Sequence, residues 1–402
     1  MDAPEFDDTT AWVESHLGHL TCDGVTPSKR FRGGQTAADD ALAAYSVGGY
    51  AKQRNQAFPP EDRGASGLSP YIRHGLLPLR RVWDHVEGGP SADVRKFRDE
   101  LLWQEYARHL YARVGGANAG WIRFAVEPAR TWPHEPWWRE MACIDAVTDE
   151  LLTDGWMVNQ TRMWMASQWT VRAGARWQVG EDAFFRHLLD GSRAANRLGW
   201  LWTIGGGTGK AYGFSRWQVQ KRAPGMCDRC SLRDDCPIQS RPETPSIRRV
   251  GEARGLRTDP DPDETAGPSE PTGNGRPDVV WLTAESLGDA DPALEAHPDL
   301  PVLFVFDEPL LERLRLSGKR LVFLAETLAD LARRRTVEVE IGPPVEALSG
   351  RSVAVTFAPV PGFRRISQRV EPSRLYPWPW LRRPSGVSAV SFSQWVRAGR
   401  PE

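Results

Sequence analysis

The sequence predicts a multi-domain chain in which an all-α domain is followed by a small α/β domain. From about Ala37 to Arg222 the apolar residues recur at spacings of three and four, which is typical of amphipathic helices. Residues 242–277 are rich in Pro, Gly, Thr and acidic residues and nearly lack apolar side chains after Leu256, so we predict a disordered linker. The predicted domains therefore span residues 1–241 and 278–402.

Four short apolar runs define the elements of the second domain. VVWL, VLFVF, VEVEI and VAVTF have the length and composition of buried strands, and one amphipathic helix is predicted from about Ser317 to Arg335. Strands that alternate with helices favour a small doubly wound, Rossmann-like sheet. Whether a fifth strand forms near Val387 to Phe392 stays open.

Charge and composition exclude several classes of protein. The 402 residues include 51 basic and 52 acidic side chains, so any nucleic-acid surface must be a local basic patch. No run of about 18 apolar residues occurs, and the segment MDAPEFDDTT lacks the basic and apolar parts of a signal peptide. We therefore expect no membrane association and a cytoplasmic location.

Two short motifs suggest ligands. CDRCSLRDDCP places Cys227, Cys230 and Cys236 at spacings that suit iron-sulfur or zinc ligation, although three ligands need a fourth. The GGGTGK run from Gly205 resembles a phosphate loop, but it lacks that motif's first glycine and its final Ser or Thr. A [4Fe-4S] cluster, zinc and unligated thiols remain the alternatives for the cysteines.

Six sequence blocks occur in a characteristic order: YAKQRN, ASGLSPYIRHGLLPLRRVW, FRDELLWQEYARHLY, GWMVNQTRM, RWQVGEDAFF and LLDGSRAANRLGWLW. Over roughly residues 30 to 225 they resemble the FAD-binding helical domain of the photolyase and cryptochrome family. The apolar runs after residue 278 look like the antenna-type α/β domain that usually opens these proteins. The inverted order is similar to a bacterial subgroup with a C-terminal α/β cap.

The resemblance implies a set of FAD-binding residues. SGLSP would hold the cofactor diphosphate on backbone amides at a helix start, and Asn196 would face the flavin N5. Gln104 and Ser192 depart from the common pattern, in which Arg and Asp stand at these positions. The implied cofactor-binding residues are Tyr50, Ala65, Ser66, Gly67, Leu68, Ser69, Gln104, Arg162, Asp190, Ser192 and Asn196.

The resemblance also implies a substrate pocket and an electron path. A flipped pyrimidine dimer needs indole faces for stacking and polar groups for the base edges; the matching residues are Arg54, Glu100, Trp103, Asn159, Met163 and Trp202. Glu100 and Asn196 are the implied catalytic groups, with Trp177 and Trp200 as the first electron carriers. The third carrier stays open among Trp132, Trp137 and Trp138.

Cys143 matches the remote ligand in the iron-sulfur bacterial branch of the family, so the resemblance implies a [4Fe-4S] cluster on Cys143, Cys227, Cys230 and Cys236. The second domain has TAESLG where an Arg-Arg-Asp-Leu-Arg run usually follows the first strand. This difference argues against an antenna chromophore and favours a lid over the flavin.

The implied function is light-dependent repair of cyclobutane pyrimidine dimers in DNA, with single strands preferred. A signalling photoreceptor of the cryptochrome type is the main alternative. Repair of (6-4) photoproducts ranks lower, because Val158 and Asn159 occupy the neighbourhood in which that reaction uses His.

Overall fold

The computed structural model describes residues 1–128 and 131–399. The first lobe is helical, as predicted. Its helices are α1 (Thr9–Leu17), α2 (Gln35–Ala44), α3 (Tyr50–Gln53), α4 (Ser69–Arg73), α5 (Leu79–His85), α6 (Ser91–Val114), α7 (Ala142–Asp154), α8 (Asn159–Ala166), α9 (Trp177–His187), α10 (Arg193–Ile204) and α11 (Arg216–Arg222). A π-helical stretch, Ser167–Arg172, continues α8.

The longest helix of this lobe, α6, packs against α3 and α10. Its apolar side chains, including Phe97, Leu101 and Leu110, are buried, and each stabilises the lobe by about 1.5–3 kcal/mol. The helix ends at Gly115, which has a φ of 57° that favours glycine. Helices α6 and α10 carry six of the predicted site residues: Glu100, Trp103, Gln104, Asn196, Trp200 and Trp202.

The segment 242–277 is ordered, so the prediction of a disordered linker is wrong. It contains β2 (Ser246–Arg249), which pairs antiparallel with β1 (Phe124–Glu127), and α12 (Pro262–Ala266). Asp259 forms an ion pair with Arg113 of α6 at 2.9 Å, and both side chains are buried. Composition predicted disorder because so few apolar residues are present, but contacts with the helical lobe order the segment.

The second lobe is built on a five-stranded parallel sheet. The strands are β3 (Val279–Leu282), β4 (Val302–Asp307), β5 (Val337–Gly342), β6 (Val353–Thr356) and β7 (Arg374–Tyr376), in the order β5-β4-β3-β6-β7. Counted within this sheet, the order is that of a doubly wound α/β fold. The four predicted strands are present, and the fifth is β7 rather than a strand near Val387. The remaining helices are α13 (Pro292–Ala296), α14 (Glu308–Leu314), α15 (Gly318–Ala332), α16 (Pro344–Ala347), α17 (Pro361–Val370) and α18 (Phe392–Arg397).

Helix α15 is buried along nearly its whole length because it lies between the sheet and the helical lobe. Its charged side chains bind the helical lobe: Glu326 accepts a hydrogen bond from the Gly33 amide at 2.7 Å, and Asp330 accepts one from the Gln35 amide at 2.9 Å. A Cβ at Gly33 would overlap the Phe323 carbonyl, so this close approach requires glycine. The amphipathic pattern predicted the helix but not its burial on both sides.

Each end of the chain packs on the opposite lobe: the N-terminal residues pack on the α/β lobe, and the C-terminal segment packs on the helical lobe. The Val339 amide of β5 donates to the Met1 carbonyl at 2.7 Å, and α1 packs against α15. At the other end, Tyr106 of α6 donates to the Ala389 carbonyl at 2.7 Å. The boundaries at residues 1–241 and 278–402 therefore do not describe the packing, and residues 400–402 lie outside the described part.

Within the described residues, no helix combines the length and the apolar character needed to cross a bilayer.

Candidate functional site

Arg162 and Asp190 form an ion pair between α8 and the segment that precedes α10. Arg162 Nη2 lies 2.7 Å from Asp190 Oδ2, and Arg162 Nε donates to the Met157 carbonyl at 3.0 Å. The Asp190 side chain is only 7% exposed. Its second oxygen, Oδ1, is buried and has no hydrogen-bond partner among the described residues. A buried carboxylate oxygen without a partner is costly, so this oxygen is suited to a ligand donor.

Asn196 provides a buried hydrogen-bond donor without a partner, the counterpart of the unpartnered acceptor on Asp190. It lies in the first turn of α10, the side chain is buried, and Nδ2 makes no hydrogen bond within the described chain. Ser192 precedes the helix and makes no side-chain cap. The structure thus leaves one buried acceptor and one buried donor unsatisfied at two of the predicted FAD positions, which fits a polar ring system bound there.

Arginines from two elements position the segment that carries Asp190. The Gly191 carbonyl accepts hydrogen bonds from Arg73 Nε at 3.0 Å and from Arg320 Nη2 of α15 at 3.1 Å. Burial, together with the nearby charge of Arg73, lowers the pKa of Arg320 to about 9. The second lobe therefore contacts the backbone beside Asp190 directly.

The predicted phosphate segment, residues 65–69, leads into α4 and contains one strained turn. Gly67 has a φ of 70°, which favours glycine, and Ser69 Oγ accepts a hydrogen bond from Trp156 Nε1 at 2.9 Å. Since α4 has only five residues, its dipole is small and the free amides matter more. Tyr50 is buried with its ring edge against Phe97, and Gln104 is partly exposed on α6.

The sequence analysis missed Arg30, which lies beside this segment. Arg30 Nη2 is 3.5 Å from the position that a Cβ on Gly67 would take. Its guanidinium lies over the Trp156 ring at 4.5 Å and forms no ion pair within residues 1–128 and 131–399. Ser28 fixes this loop by donating to the Asp154 carbonyl at 2.7 Å. No local motif signals the role, because Arg30 is 37 residues from Gly67 in sequence.

Glu100 and Arg54, both predicted substrate-side residues, lie close together. Arg54 Nε lies 3.6 Å from Glu100 Oε1, and Lys96 Nζ lies 2.7 Å from the same oxygen. All three side chains are partly exposed, so the pairs contribute little to stability. The Glu100 carboxylate is thus held at the edge of the lobe with two cations beside it.

The other predicted pocket residues differ in accessibility. Trp202 is 41% exposed, Asn159 is exposed at the start of α8, and Met163 is partly buried. Trp103, however, stacks on Phe392 of α18 with the ring centroids 3.9 Å apart and an angle of 11°. Phe392 therefore covers one face of the indole that was expected to receive a base.

Trp177 and Trp200 are both 2% exposed, and neither indole N–H has a hydrogen-bond partner in the described chain. The ring closest to Trp177 among the aromatic contacts is Trp121, with centroids 6.1 Å apart. Trp121 is partly exposed, so it extends the pair towards solvent. The sequence analysis missed Trp121, because nothing in its spacing distinguishes it from other tryptophans.

The three tryptophans left open as a third carrier lie elsewhere. Trp137 packs on Trp169 at 4.6 Å and on Phe184 at 5.6 Å, and Phe184 in turn contacts Trp200 at 5.2 Å. Trp138 stacks on His134 with the ring centroids 3.7 Å apart, and Trp132 contacts both of these rings edge-on. Trp137 therefore approaches Trp200 only through a phenylalanine.

The four predicted cluster cysteines line one small, mainly apolar cavity with Met141, Val219 and Leu232. Burial raises the pKa of the Cys143 thiol, and the negative charges of the other three cysteines raise it further. No three of these four sulfur atoms lie within 4.8 Å of one another. The cavity thus gathers the four cysteines, of which Cys143 lies far from the other three in the sequence, at one place.

Cys22, which the sequence analysis left unassigned, lies with Asp23 and His187, and their ligand atoms are within 4.8 Å of one another. Lys319 Nζ of α15 lies 3.4 Å from Asp23 Oδ2, and the Gly318 amide donates to Asp23 Oδ1 at 2.7 Å. Lys319 therefore supplies the positive charge beside Asp23. Because Lys319 belongs to α15, this contact joins the second lobe to the helical lobe.

Comparisons with known proteins agree with this geometry in the helical lobe. Residues 97–223 match the family described as the FAD binding domain of DNA photolyase. The deoxyribodipyrimidine photo-lyase of a Synechococcus species is 30% identical over 199 residues, which are 43% of this chain and 39% of that protein. The enzyme of the same name from Thermus thermophilus is 32% identical over 194 residues, which are 44% of each chain.

Among solved structures, a bacterial class III photolyase from Agrobacterium tumefaciens has a TM-score of 0.39 at 24% identity, over 55% of this chain and 46% of that chain. The chain spans less than half the length of the two curated relatives. The similarity in sequence is therefore concentrated in the helical lobe, where Arg162, Asp190 and Asn196 lie. Residues 97–223 are thus similar to the FAD binding domain of DNA photolyase.

Proposed function

We propose that this protein is a light-dependent DNA repair flavoprotein that splits cyclobutane pyrimidine dimers, a deoxyribodipyrimidine photo-lyase. The observation that carries the proposal is the unsatisfied pair of buried groups, Asp190 Oδ1 and Asn196 Nδ2, inside the matched FAD-binding domain. When bound there in reduced form, FAD supplies the light-driven electron that opens the dimer. The relatives named deoxyribodipyrimidine photo-lyase support the choice of substrate.

The chain contributes groups that would hold each part of the cofactor. Asp190 Oδ1 would accept a hydrogen bond from a ring N–H of the flavin, and Arg162 orients the carboxylate from 2.7 Å. Asn196 donates an amide hydrogen without offering a strong acid. Ser66, Gly67 and Ser69 present backbone amides to the diphosphate, and the unpaired guanidinium of Arg30 lies beside them. Tyr50, Ala65, Leu68, Gln104 and Ser192 complete the proposed contacts.

On the substrate side, Glu100 would donate a carboxyl hydrogen bond to a thymine carbonyl, and Arg54 would attract the backbone phosphate. Asn159, Met163 and the exposed face of Trp202 complete the pocket, and Trp202 stacks on an extruded base. We propose a preference for single strands, because their bases flip out without breaking base pairs. The buried Gln160, bonded to the Tyr212 hydroxyl at 3.0 Å, replaces a common basic residue and would weaken the grip on a duplex.

The four cysteines form the proposed site of a [4Fe-4S] cluster. All four cysteines line one cavity, and Cys227, Cys230 and Cys236 have a sequence spacing that suits iron-sulfur ligation.

A photoreceptor of the cryptochrome type is the second candidate function. The observation that favours it is the stacking of Phe392 on Trp103, which fills a surface that a repair enzyme would present to a base. In that case Trp177, Trp200 and Trp121 would relay electrons for signalling, and the segment around α18 would be the element that responds.

A repair assay separates the two candidates. Purified protein with chemically reduced flavin is illuminated with oligothymidylate that carries thymine dimers, and recovery of ultraviolet absorbance is followed for single and double strands. Recovery that is faster on single strands supports the proposal. If the reduced protein neither binds the dimer nor restores absorbance, the repair function is rejected and the photoreceptor becomes the leading candidate.

Glu100→Ala should keep the flavin and its photoreduction but lower the repair yield by about tenfold or more, because it removes a hydrogen bond that strengthens as the thymine carbonyl gains charge. Glu87→Ala, which alters an exposed carboxylate on another surface, is the matched control and should repair at the wild-type rate. Equal repair by both variants would remove Glu100 from the mechanism.

Arg30→Ala should weaken FAD binding by about tenfold or more, because a hydrogen bond to a charged group contributes about 1.5–3 kcal/mol. Equilibrium dialysis of the apoprotein with FAD measures the change. Arg98→Ala is the control, since Arg98 also lies over a tryptophan, Trp83, at 4.7 Å but away from the phosphate segment. The assignment of Arg30 is wrong if the two variants bind FAD equally well.

A further inference from the structure

The turn between α9 and α10 carries Asp190 and is tightly packed. The Gly191 amide donates to the Leu188 carbonyl at 2.8 Å. A Cβ at Gly191 would lie 2.7 Å from the Leu188 carbonyl oxygen and 2.8 Å from the Phe185 carbonyl oxygen, so the turn has no room for a side chain there. Because Asp190 and Ser192 flank this glycine, a contact that fixes Gly191 also fixes both of these proposed flavin residues.

Arg320 of α15 reaches this turn from the second lobe. Its guanidinium donates to the Gly191 carbonyl at 3.1 Å and to the Phe185 carbonyl, and it lies over the Phe185 ring at 5.0 Å. The residue is only 5% exposed. The second lobe therefore contributes a buried, positively charged side chain to the turn that carries Asp190.

Arg320 has no carboxylate partner of its own. It forms no ion pair in the described part of the chain, whereas Arg162 lies 2.7 Å from Asp190 and Arg73 donates to both oxygens of Glu285 at 2.6 and 2.7 Å. The group thus contains three arginines and two carboxylates. The excess of one positive charge lies on Arg320.

This excess charge acts inside the protein, where water screens it little. The pKa of Arg320, which burial and then Arg73 lower to about 9, still leaves the guanidinium charged at neutral pH. Arg193 does not change the balance, because Arg193 and Arg197 pair with Glu181 and Asp182 in a group of two positive and two negative charges. A buried cation without a counter-ion is costly, so a negative charge in the neighbouring flavin site would offset that cost.

Reduction gives a flavin ring such a negative charge. The oxidised ring is neutral, and uptake of two electrons and one proton leaves one negative charge on it. A positive charge held near the ring therefore favours the reduced form and raises the reduction potential. Asp190 and Asn196, the residues proposed to contact the ring, lie on either side of the Gly191 carbonyl that Arg320 holds.

We propose that Arg320 is a positioning residue of the flavin site: it holds the Asp190 turn from the second lobe, and its unpaired charge favours reduced over oxidised flavin. The inference rests on the proposed binding of FAD but not on DNA repair. It gives the second lobe a role in setting the redox state of a cofactor that the helical lobe binds.

The test measures the reduction potential of the flavin in the loaded protein, in the dark and without DNA, by titration with dithionite in the presence of a reference dye. Arg320→Met removes the charge and should lower the ratio of the affinities for reduced and oxidised FAD by about tenfold, which is about 30 mV for two electrons. Arg320→Lys keeps a charge and should restore most of the potential. Arg335→Met is the matched control, because Arg335 also donates to two backbone carbonyls, those of His297 and Leu294, but within the second lobe.

Glu285→Gln makes the opposite change in charge. It removes a carboxylate from the same group, so the affinity ratio should rise, by about threefold because this side chain is 20% exposed and partly screened. Glutamine still accepts a hydrogen bond from Arg73, so the turn keeps its support. This variant also decides the question if Arg320→Met does not fold.

Two results would overturn the inference. One is a wild-type potential in Arg320→Met, and the other is a shift of the same sign in Arg320→Met and Glu285→Gln, which would indicate a structural effect without a role for charge. A wild-type protein that binds no FAD would reject the flavin assignment and this role together. Bound FAD with the expected shifts but no repair would reject the proposed repair function alone.

Discussion

Cys230→Ala is expected to abolish the proposed iron-sulfur cluster and to lower the yield of folded protein sharply. Cys230 is only partly buried, so removing its thiol as a packing group would cost little. As a cluster ligand it contributes to folding, because binding to a site absent from the unfolded chain adds its free energy to stability. A loss of about 1.4 kcal/mol already changes the folding equilibrium tenfold. Cys143→Ala, Cys227→Ala and Cys236→Ala should behave alike.

Anaerobic iron and sulfide analysis provides the measurement, with about four of each expected per wild-type chain and much less in the variants. Cys22→Ala is the control, since Cys22 lies in another group and should keep both cluster and yield. Zinc in place of iron, or a metal-free wild-type protein with normal yield, would contradict the cluster assignment.

Trp177→Phe should block photoreduction of the oxidised flavin while leaving repair by chemically reduced protein largely intact. Trp177 and Trp200 are both buried, and Trp121 lies 6.1 Å beyond Trp177 towards solvent. Phenylalanine keeps the packing, but it is much harder to oxidise, so the electron path is interrupted. In the proposed mechanism, this path would reduce the flavin and would take no part in splitting the dimer.

Photoreduction is measured by the bleaching of the flavin absorption under blue light in the presence of an external reductant. Repair by the chemically reduced protein is measured with the oligothymidylate assay. Trp121→Phe should also slow bleaching, whereas Trp137→Phe should change it little because Phe184 separates Trp137 from Trp200. Slow bleaching in Trp137→Phe with normal bleaching in Trp121→Phe would contradict this assignment and would indicate that the electron path runs through Trp137.

The sequence by itself determined the two kinds of lobe and many of the residues that carry the proposed chemistry. Helical periodicity, four strand-like runs and the order of the motif blocks depend on local spacing, and local spacing is preserved whatever the lobes contact. The family resemblance also pointed to Arg162 and Asp190, which the structure joins in an ion pair, whereas the contact of Arg54 with Glu100 was not predicted.

Only the tertiary structure decided what covers these residues. Arg30 beside Gly67, Trp121 beside Trp177 and Phe392 on Trp103 join positions that are far apart in the chain, and no spacing rule connects them. The ordered conformation of residues 242–277 and the packing of each chain end on the opposite lobe likewise depend on contacts between residues far apart in the sequence. Such contacts depend on how two large apolar surfaces fit together, and that fit is a property of the packed lobes rather than of any segment.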